Sequence, residues 1–558
     1  MSVLLTNLFQ VSAPWIVRQA VDHLQAGASR GTLLRDAGLL LLVVAAQGVF
    51  LYTMRMTLIR ASRTMEYELR NDLFRHMARL PAATYRRNRV GDYLSRATND
   101  LDAVRNFLGP GIMYFANTIT TFAMAVTLMC RIDVNLTLLA LLPLPVLSFT
   151  VARLGARLHR SYEAIQESFA SLTAKAQETL TGIRVVKAHV EEDGEYEAFR
   201  RIHDDYLERN RTMIRIWAAM GPTLSLVGGI SAAVILGVGG YAVVAGRITL
   251  GELIAFQIYL AMLIWPMVAL GWVSNLFQRG AASMGRIQAV LDEPVEEDVD
   301  GELPRPTDDV SIELRGVAFR YPFTDRDVLR DVSLRAGPGE RVAIVGRTGS
   351  GKSTLLHLIA RLYEPTSGEV RFGGVPAAEW PRGALRRRLG IVPQETFLFS
   401  DTIRANIGFG FSDAATGWNP ESAARRAGLN ADLTQMPEGL DTIIGERGIT
   451  LSGGQKQRVA LARALALERP VLLLDDCFAS VDPGTEETIL DSLFALPERP
   501  TILLATHRRS ALLRVDRIVV LDEGRVVAAG THEELLRAGG LYAELYRREE
   551  VAEELEAL

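Results

Sequence analysis

The chain has 558 residues, 48% of them hydrophobic, with 61 basic and 65 acidic side chains for a formal net charge of −4. Near-balanced charge offers no basic surface for nucleic acid, and 57 arginines against four lysines (175, 187, 352 and 456) read as the mark of a GC-rich genome rather than of a binding surface. Positive mean hydropathy with long uncharged runs excludes an ordinary soluble protein of several domains and points to a membrane protein.

Apolar runs fall at about 3–17, 37–54, 112–130, 134–152, 216–245 and 248–273, which predicts six spanning helices. No charged region precedes the first run and no small-residue cleavage pattern follows it, so a cleaved signal peptide is not expected. That run has only about 15 residues before Arg18, which places Met1 within the first membrane helix, with an upstream start missing or the helix short. Residues 55–105 hold eleven arginines, and 153–215 hold nine arginines and two lysines, whereas the connections near 22–36, 131–133 and 246–249 hold two, one and one. Positive-inside reasoning therefore puts both long connections in the cytosol, together with the N-terminus and everything after residue 280.

The two cytosolic connections read as helix throughout, and folded as arms each would project roughly 40 Å at 1.5 Å per residue. Turning points are expected at Asn88–Asp92 and Thr181–Lys187, where glycine and polar residues interrupt the helical pattern. Each tip is either a solvated hairpin or a surface that ends against something else. Asn7, Gln10, Gln47, Asn117, Gln257 and Asn275, polar within the spans, are either interhelical hydrogen-bond partners or the lining of a substrate path. Pro143, Pro145, Pro222 and Pro266 are expected to kink their helices.

Residues 284–309 turn acidic and proline-containing and are read as a linker between a membrane domain (1–283) and a second domain (310–546), with a C-terminal helical tail (547–558). In that tail Leu541, Leu545, Val551, Leu555 and Leu558 fall roughly on one helical face, for packing against a partner or as part of an acidic, solvated end. From Val310 short β-like runs (Ser311–Leu314, Arg341–Val345, Val471–Leu474, Thr501–Leu504, Arg517–Leu521) alternate with helices, the pattern of an α/β domain. Cys130 and Cys477 imply no disulfide framework.

The second domain carries the chemistry. Gly346-Arg-Thr348-Gly349-Ser350-Gly351-Lys352-Ser353 lies between the strand-like Arg341–Val345 and the helical Thr354–Ala360. Glycines let backbone N–H groups close on a polyphosphate, the helix N-terminus adds positive potential, Lys352 reaches the outer phosphates, and Ser353 offers its hydroxyl to Mg2+. Asp475 ends the apolar run Val471–Leu474, where a phosphate-loop protein holds Mg2+.

Between these stretches lies Leu451-Ser452-Gly453-Gly454-Gln455, followed by a helical run from Lys456. On these motifs, in this order, nearly the whole chain resembles an ABC transporter half of the exporter type, an all-α six-helix transmembrane domain followed by an α/β P-loop ATPase domain. The resemblance implies ATP and Mg2+ as cofactors. It makes Tyr321 the aromatic that stacks on adenine, Gly346 to Thr354 the ATP cradle, Gln394 a Mg2+ contact with Ser353 and Asp475, and His507 a γ-phosphate contact. It makes Glu446 and Arg447 part of a loop that touches membrane helices, and Ser480 and Asp482 part of a loop crossing to the opposite subunit. Leu451 to Gln455 would then serve ATP bound to a partner chain, and the two arm tips would be coupling helices.

One position departs from the family. Where it places a glutamate as general base, this chain has Asp476, whose stem is one methylene, about 1.5 Å, shorter. General-base help is worth about 10² to 10⁴ in rate and needs hydrogen-bond reach. Asp476 acts only if the backbone moves inward. A resembling subfamily, the bacterial and TAP-like heterodimeric exporters, carries such a substitution in one subunit only. The expected protein is therefore one subunit of a heterodimer in the bacterial cytoplasmic membrane, with its ATPase domain in the cytosol. Its partners would be a non-identical half-transporter with an intact glutamate and membrane lipid, and its cargo a hydrophobic or amphipathic small molecule or peptide. A homodimeric exporter or lipid flippase with slow hydrolysis, and an ATP-gated regulatory membrane protein, are the alternatives.

Overall fold

A computed structural model of the chain describes residues 1–296, 310–322, 324–411, 419–445 and 451–556. It divides into two compact units, Met1–Ala78 with Gly91–Glu293, and Arg79–Val90 with Pro294–Leu558.

The first unit is helical throughout. Its long runs are α1 (Ser2–Gln25), α2 (Arg30–Met77), then α4 (Val90–Ile132) after the short α3 (Ala82–Arg87). There follow α5 (Val134–Leu141), α6 (Pro143–Thr181), α7 (Ile183–His189), α8 (Glu192–Val244) and α9 (Leu250–Leu291). Among the described residues α2, α4, α8 and α9 are long and apolar enough to cross a membrane; α1 and α6, at the first and fourth expected spans, are not among them. Local chemistry fixes several starts. Ser29 caps α2 by accepting from the Thr32 amide at 3.3 Å, and Thr249 with Glu252 forms a reciprocal capping box on α9.

Small residues and polar links bring these helices together. A Cβ on Gly109 would lie 2.6 Å from the Ser62 hydroxyl, and one on Gly280 2.6 Å from the Cβ of Phe107, close approaches that packing between membrane helices favours. Asn7 is buried and donates to the Asn117 carbonyl at 3.3 Å and to the Thr120 hydroxyl, so it is an interhelical partner. Tyr259 donates to the Val11 carbonyl at 2.8 Å, and Asp22 accepts from the Gly251 amide at 3.1 Å, tying α1 to α9.

Three sequence-based boundaries need correction. Residues 284–291, assigned to a linker, continue α9, because Ile287 and Val290 keep its apolar repeat fully buried; residues 297–309 lie outside the described residues. The first turn is in two parts: the chain breaks after Ala78, where no turn was expected, and again at Asn88, inside the expected Asn88–Asp92, while Gly91 sits in the first turn of α4, where a helix tolerates it at about 1 kcal/mol. The second expected turn is helix α7. The chain reverses at Val190, a β-branched residue held in the left-handed region at φ 57°. Of the prolines, Pro143 starts a new helix, while Pro222 and Pro266 lie inside helices that continue through them.

The second unit holds two sheets. Strands β1 (Ile312–Phe319), β2 (Leu329–Ala336), β4 (Ser367–Phe372) and β5 (Val375–Pro376) form an antiparallel sheet in the order β2-β1-β4-β5. The other runs β10-β9-β3-β8-β7-β6, from β3 (Arg341–Val345), β6 (Leu389–Val392), β7 (Val471–Asp475), β8 (Thr501–Ala505), β9 (Arg517–Asp522) and β10 (Arg525–Gly530). It is parallel except for β10. Its central strands are buried along their whole length, as their continuous apolar runs require.

The tail also departs from expectation. A single helix spans Gly540–Glu556, and it seats Tyr542 and Tyr546 against Val345, Ile518 and Val520, with Leu541 and Leu545 only partly buried. Val551 is exposed. Aromatic side chains define the packed face because their larger area outweighs the leucine stripe.

Candidate active site

The carboxyl ends of β3, β7 and β8 lie side by side, and the loops that leave them converge on one cavity of about 240 Å³. After Val345 the chain loops over 346–351 into helix α10 (Lys352–Ile359). Two glycines are demanded here by the protein itself. A Cβ on Gly346 would stand 2.1 Å from the Leu521 carbonyl oxygen, and Gly351 sits at φ 105° with a Cβ position 2.6 Å from Leu329. The loop thus lies tight on β9 and β2, with its amides at the N-terminus of α10, an arrangement suited to anions.

Gly346, Thr348, Gly349, Gly351, Lys352, Ser353 and Thr354 all line the cavity, together with Gln394, Asp475, Asp476 and His507. The fold therefore gathers in one place residues that the sequence spreads over 160 positions. Ser350 is the exception: it is buried beneath the loop. Tyr321 stands behind Thr354, its hydroxyl 3.0 Å from that of Thr354. Val328, Ala505 and Thr506 also line the cavity. Sequence reasoning missed them because strand pairing, not side-chain chemistry, brings them there.

The Lys352 ammonium donates to the carbonyls of Gly346 at 2.8 Å and Arg347 at 3.1 Å. Burial lowers its pKa, against the opposing charges of Asp476 and Asp475. Burial likewise raises the Asp475 carboxyl, opposed by its hydrogen bond with Ser353. Asp476, which follows the strand, lies at φ 47°, and one of its carboxylate oxygens is buried without a hydrogen-bond partner.

These oxygens decide what the cavity can hold. Ser353, Asp475 and Gln394 present hard oxygen donors to one space, the ligand class that Mg2+ takes while keeping phosphate oxygens and water. Among the described residues no group of three His, Cys, Asp or Glu could hold a metal alone.

Leu451 to Gln455 do not line this cavity. Ser452 caps helix α11 (Gly453–Ala466): its hydroxyl accepts from the Gln455 amide at 3.3 Å, and its own amide donates to the Gln455 side chain at 2.9 Å. Ser452 and Gly453 are exposed, whereas Gly454 is buried against Ser480, whose carbonyl oxygen would stand 2.5 Å from an added Cβ. The Ser480 amide donates to Gln457 of α11 at 2.9 Å, and Asp482 caps the following helix through the Thr485 amide at 2.9 Å. The segment 480–482 is thereby fastened to the helix that Ser452 begins. Glu446 and Arg447 lie outside the described residues.

Residues 1–267 match the family described as ABC transporter transmembrane region, and residues 329–479 the family described as ABC transporter. The multidrug resistance-like ATP-binding protein MdlA of Escherichia coli K12 is 36% identical over 547 residues, which cover 98% of this chain and 92% of that protein. The ATP-dependent lipid A-core flippase of Syntrophus aciditrophicus is 32% identical over 560 residues, 99% of this chain and 92% of the flippase. A bacterial Atm1-family ABC exporter with ATP bound superposes with a TM-score of 0.80 at 28% identity, covering 98% of this chain and 97% of the other.

Proposed function

The chain belongs to the ABC transporter family, a membrane region fused ahead of an ATP-binding domain, and on that premise we propose that it is one half of a heterodimeric ATP-driven exporter of hydrophobic or amphipathic compounds. In this reading it crosses a bacterial cytoplasmic membrane six times, keeps its ATPase domain in the cytosol, and pairs with a different half-transporter that has a glutamate where this chain has Asp476.

The observation that carries the asymmetry is the setting of Asp476. Its amide donates to the Ala505 carbonyl at 2.9 Å, which anchors the backbone from which the shortened side chain starts. Asp476 thus binds beside nucleotide without reaching the water, and this chain's own site mainly holds ATP. Tyr321 carries the base, and the loop amides with Lys352 hold the phosphates. Ser353, Asp475 and Gln394 hold Mg2+, which when bound neutralises charge developing on the transferred phosphoryl group. His507 contacts the γ-phosphate. Ser452 and the glycine amides beside it, exposed and outside this cavity, complete the partner's site. Ser480 and Asp482 transmit between the two sites, and Glu446 and Arg447 take part in coupling to membrane helices.

ATP-dependent uptake of a labelled hydrophobic cation into sealed inside-out vesicles carrying both halves tests transport. Uptake that Lys352→Ala abolishes supports it; nucleotide binding with no movement of any such compound opposes it. Similarity to a lipid flippase supports a second reading, a homodimer that moves lipid with slow hydrolysis at Asp476. Purification of this chain as an active dimer without a partner would favour it.

A further inference from the structure

The short helix α3 (Ala82–Arg87), at the tip of the first arm, belongs to the second compact unit. From it the Arg86 guanidinium lies over the ring of Tyr321, 4.3 Å from the ring centre, and hydrogen-bonds Tyr321 and Tyr363. Tyr321 is placed to meet a nucleotide as it leaves the phosphate cavity, because its hydroxyl is 3.0 Å from that of Thr354 and Thr354 lines the cavity. On the core side the ring is closed in by Phe319 at 4.8 Å and Tyr363 at 5.2 Å, both nearly perpendicular to it. Those two rings are themselves 5.6 Å apart, so the three rings form one packed cluster. The Arg86 guanidinium is the cation that lies over the Tyr321 ring. A planar cation satisfies an aromatic face much as a purine does, by stacking on its negative surface.

We propose that Arg86 competes with the base of a purine nucleoside triphosphate for the face of Tyr321, so that base binding draws this arm residue off the ring. The inference rests on the reading of Tyr321 as the base platform. Nucleotide occupancy then reaches α3 through one side chain: with the base stacked, Arg86 loses its aromatic partner and α3 loses a tether. Phosphate binding alone leaves the tether in place, since Arg86 is not among the residues that line the phosphate cavity.

The test measures affinity of the purified full-length protein for ATP and, separately, for inorganic tripolyphosphate, which has no base. Loss of the Arg86 charge weakens both ligands alike, so the ratio of the two affinities is the informative quantity. In Arg86→Ala the ratio should shift toward ATP by about two- to fivefold, the range of an exposed cation–aromatic contact. Arg86→Lys, which keeps a cation over the ring, should return it toward the wild-type ratio. Tripolyphosphate binding shows that each variant is folded, and Arg86→Met, which keeps the stem, replaces the alanine variant if truncation prevents folding. A ratio that is unchanged or moves against ATP overturns the competition. Tyr321→Ala reports on the platform independently: it should lower the ratio and make it insensitive to Arg86. If Tyr321→Ala leaves the ratio unchanged, the platform reading fails and the competition with it.

Discussion

The amide of Asp476 donates to the carbonyl oxygen of Ala505 at 2.9 Å, one step beyond the last pair of the β7–β8 ladder, Asp475 with Ala505. This bond holds Asp476 in the left-handed region at φ 47°, where a residue other than glycine costs about 1 to 2 kcal/mol. The surrounding sheet thus sets where the Asp476 side chain begins.

Asp476→Glu should for that reason raise hydrolysis at this chain's own site. On the proposed reading one added methylene restores the reach that Asp476 lacks, and a positioned general base contributes about 10² to 10⁴ in rate. Single-turnover hydrolysis of ATP by the purified chain, variant against wild type, checks it; unchanged turnover would show that reach is not what limits the site.

Gly454→Ala should leave ATP binding by this chain intact and cut hydrolysis in the assembled transporter about 10²-fold, the cost of a misplacement near 1 Å. The new Cβ would stand 2.5 Å from the Ser480 carbonyl oxygen, so the segment that follows β7 must move away from the helix capped by Ser452. Equilibrium ATP binding and steady-state ATPase on the same preparation separate the two effects.

The phosphate site was legible because its chemistry is written in contiguous residues: eight positions from Gly346 to Ser353 specify turn, charge and hydroxyl together. The central strands were legible because burial on both faces leaves unbroken apolar runs. Features set by distant partners were not. The charged stretch near residue 284 resembles a linker, yet Arg286 stays helical and pairs with Asp100 at 3.0 Å, with Ser283 donating to the same carboxylate at 2.9 Å. Nothing in the residue type marks Val190 for a left-handed turn. Arg86 carried no signal at all, since its contact with Tyr321 exists only once α3 is placed.

Acidity should affect Mg2+-dependent binding earlier than an ordinary carboxylate would. Burial raises the Asp475 pKa, and Mg2+ takes only the ionised form. As pH falls, Mg2+-ATP affinity should therefore drop before that of ATP in chelator, and Asp475→Asn should remove the difference. The same shift gives a sign for stability. A carboxyl whose folded pKa lies above its unfolded value contributes stability below the unfolded pKa and loses it as pH rises through the folded pKa. At neutral pH the ionised Asp475 is thus a cost, and Asp475→Asn should raise the Tm measured without nucleotide while weakening Mg2+-ATP binding.

The most direct measurement is ATPase turnover of the purified complex carrying Ser452→Ala or Asp476→Asn in this chain. In the proposed assembly Ser452 supplies positioning and charge-stabilising hydrogen bonds to the partner's ATP, contacts whose loss costs about 10² to 10³ in rate, whereas Asp476 lies in the site proposed mainly to hold nucleotide. Turnover should fall at least about 10²-fold with Ser452→Ala and change several-fold at most with Asp476→Asn. If this chain alone hydrolyses ATP at a comparable rate and Asp476→Asn stops it, the two sites are equivalent and the asymmetric assembly is contradicted.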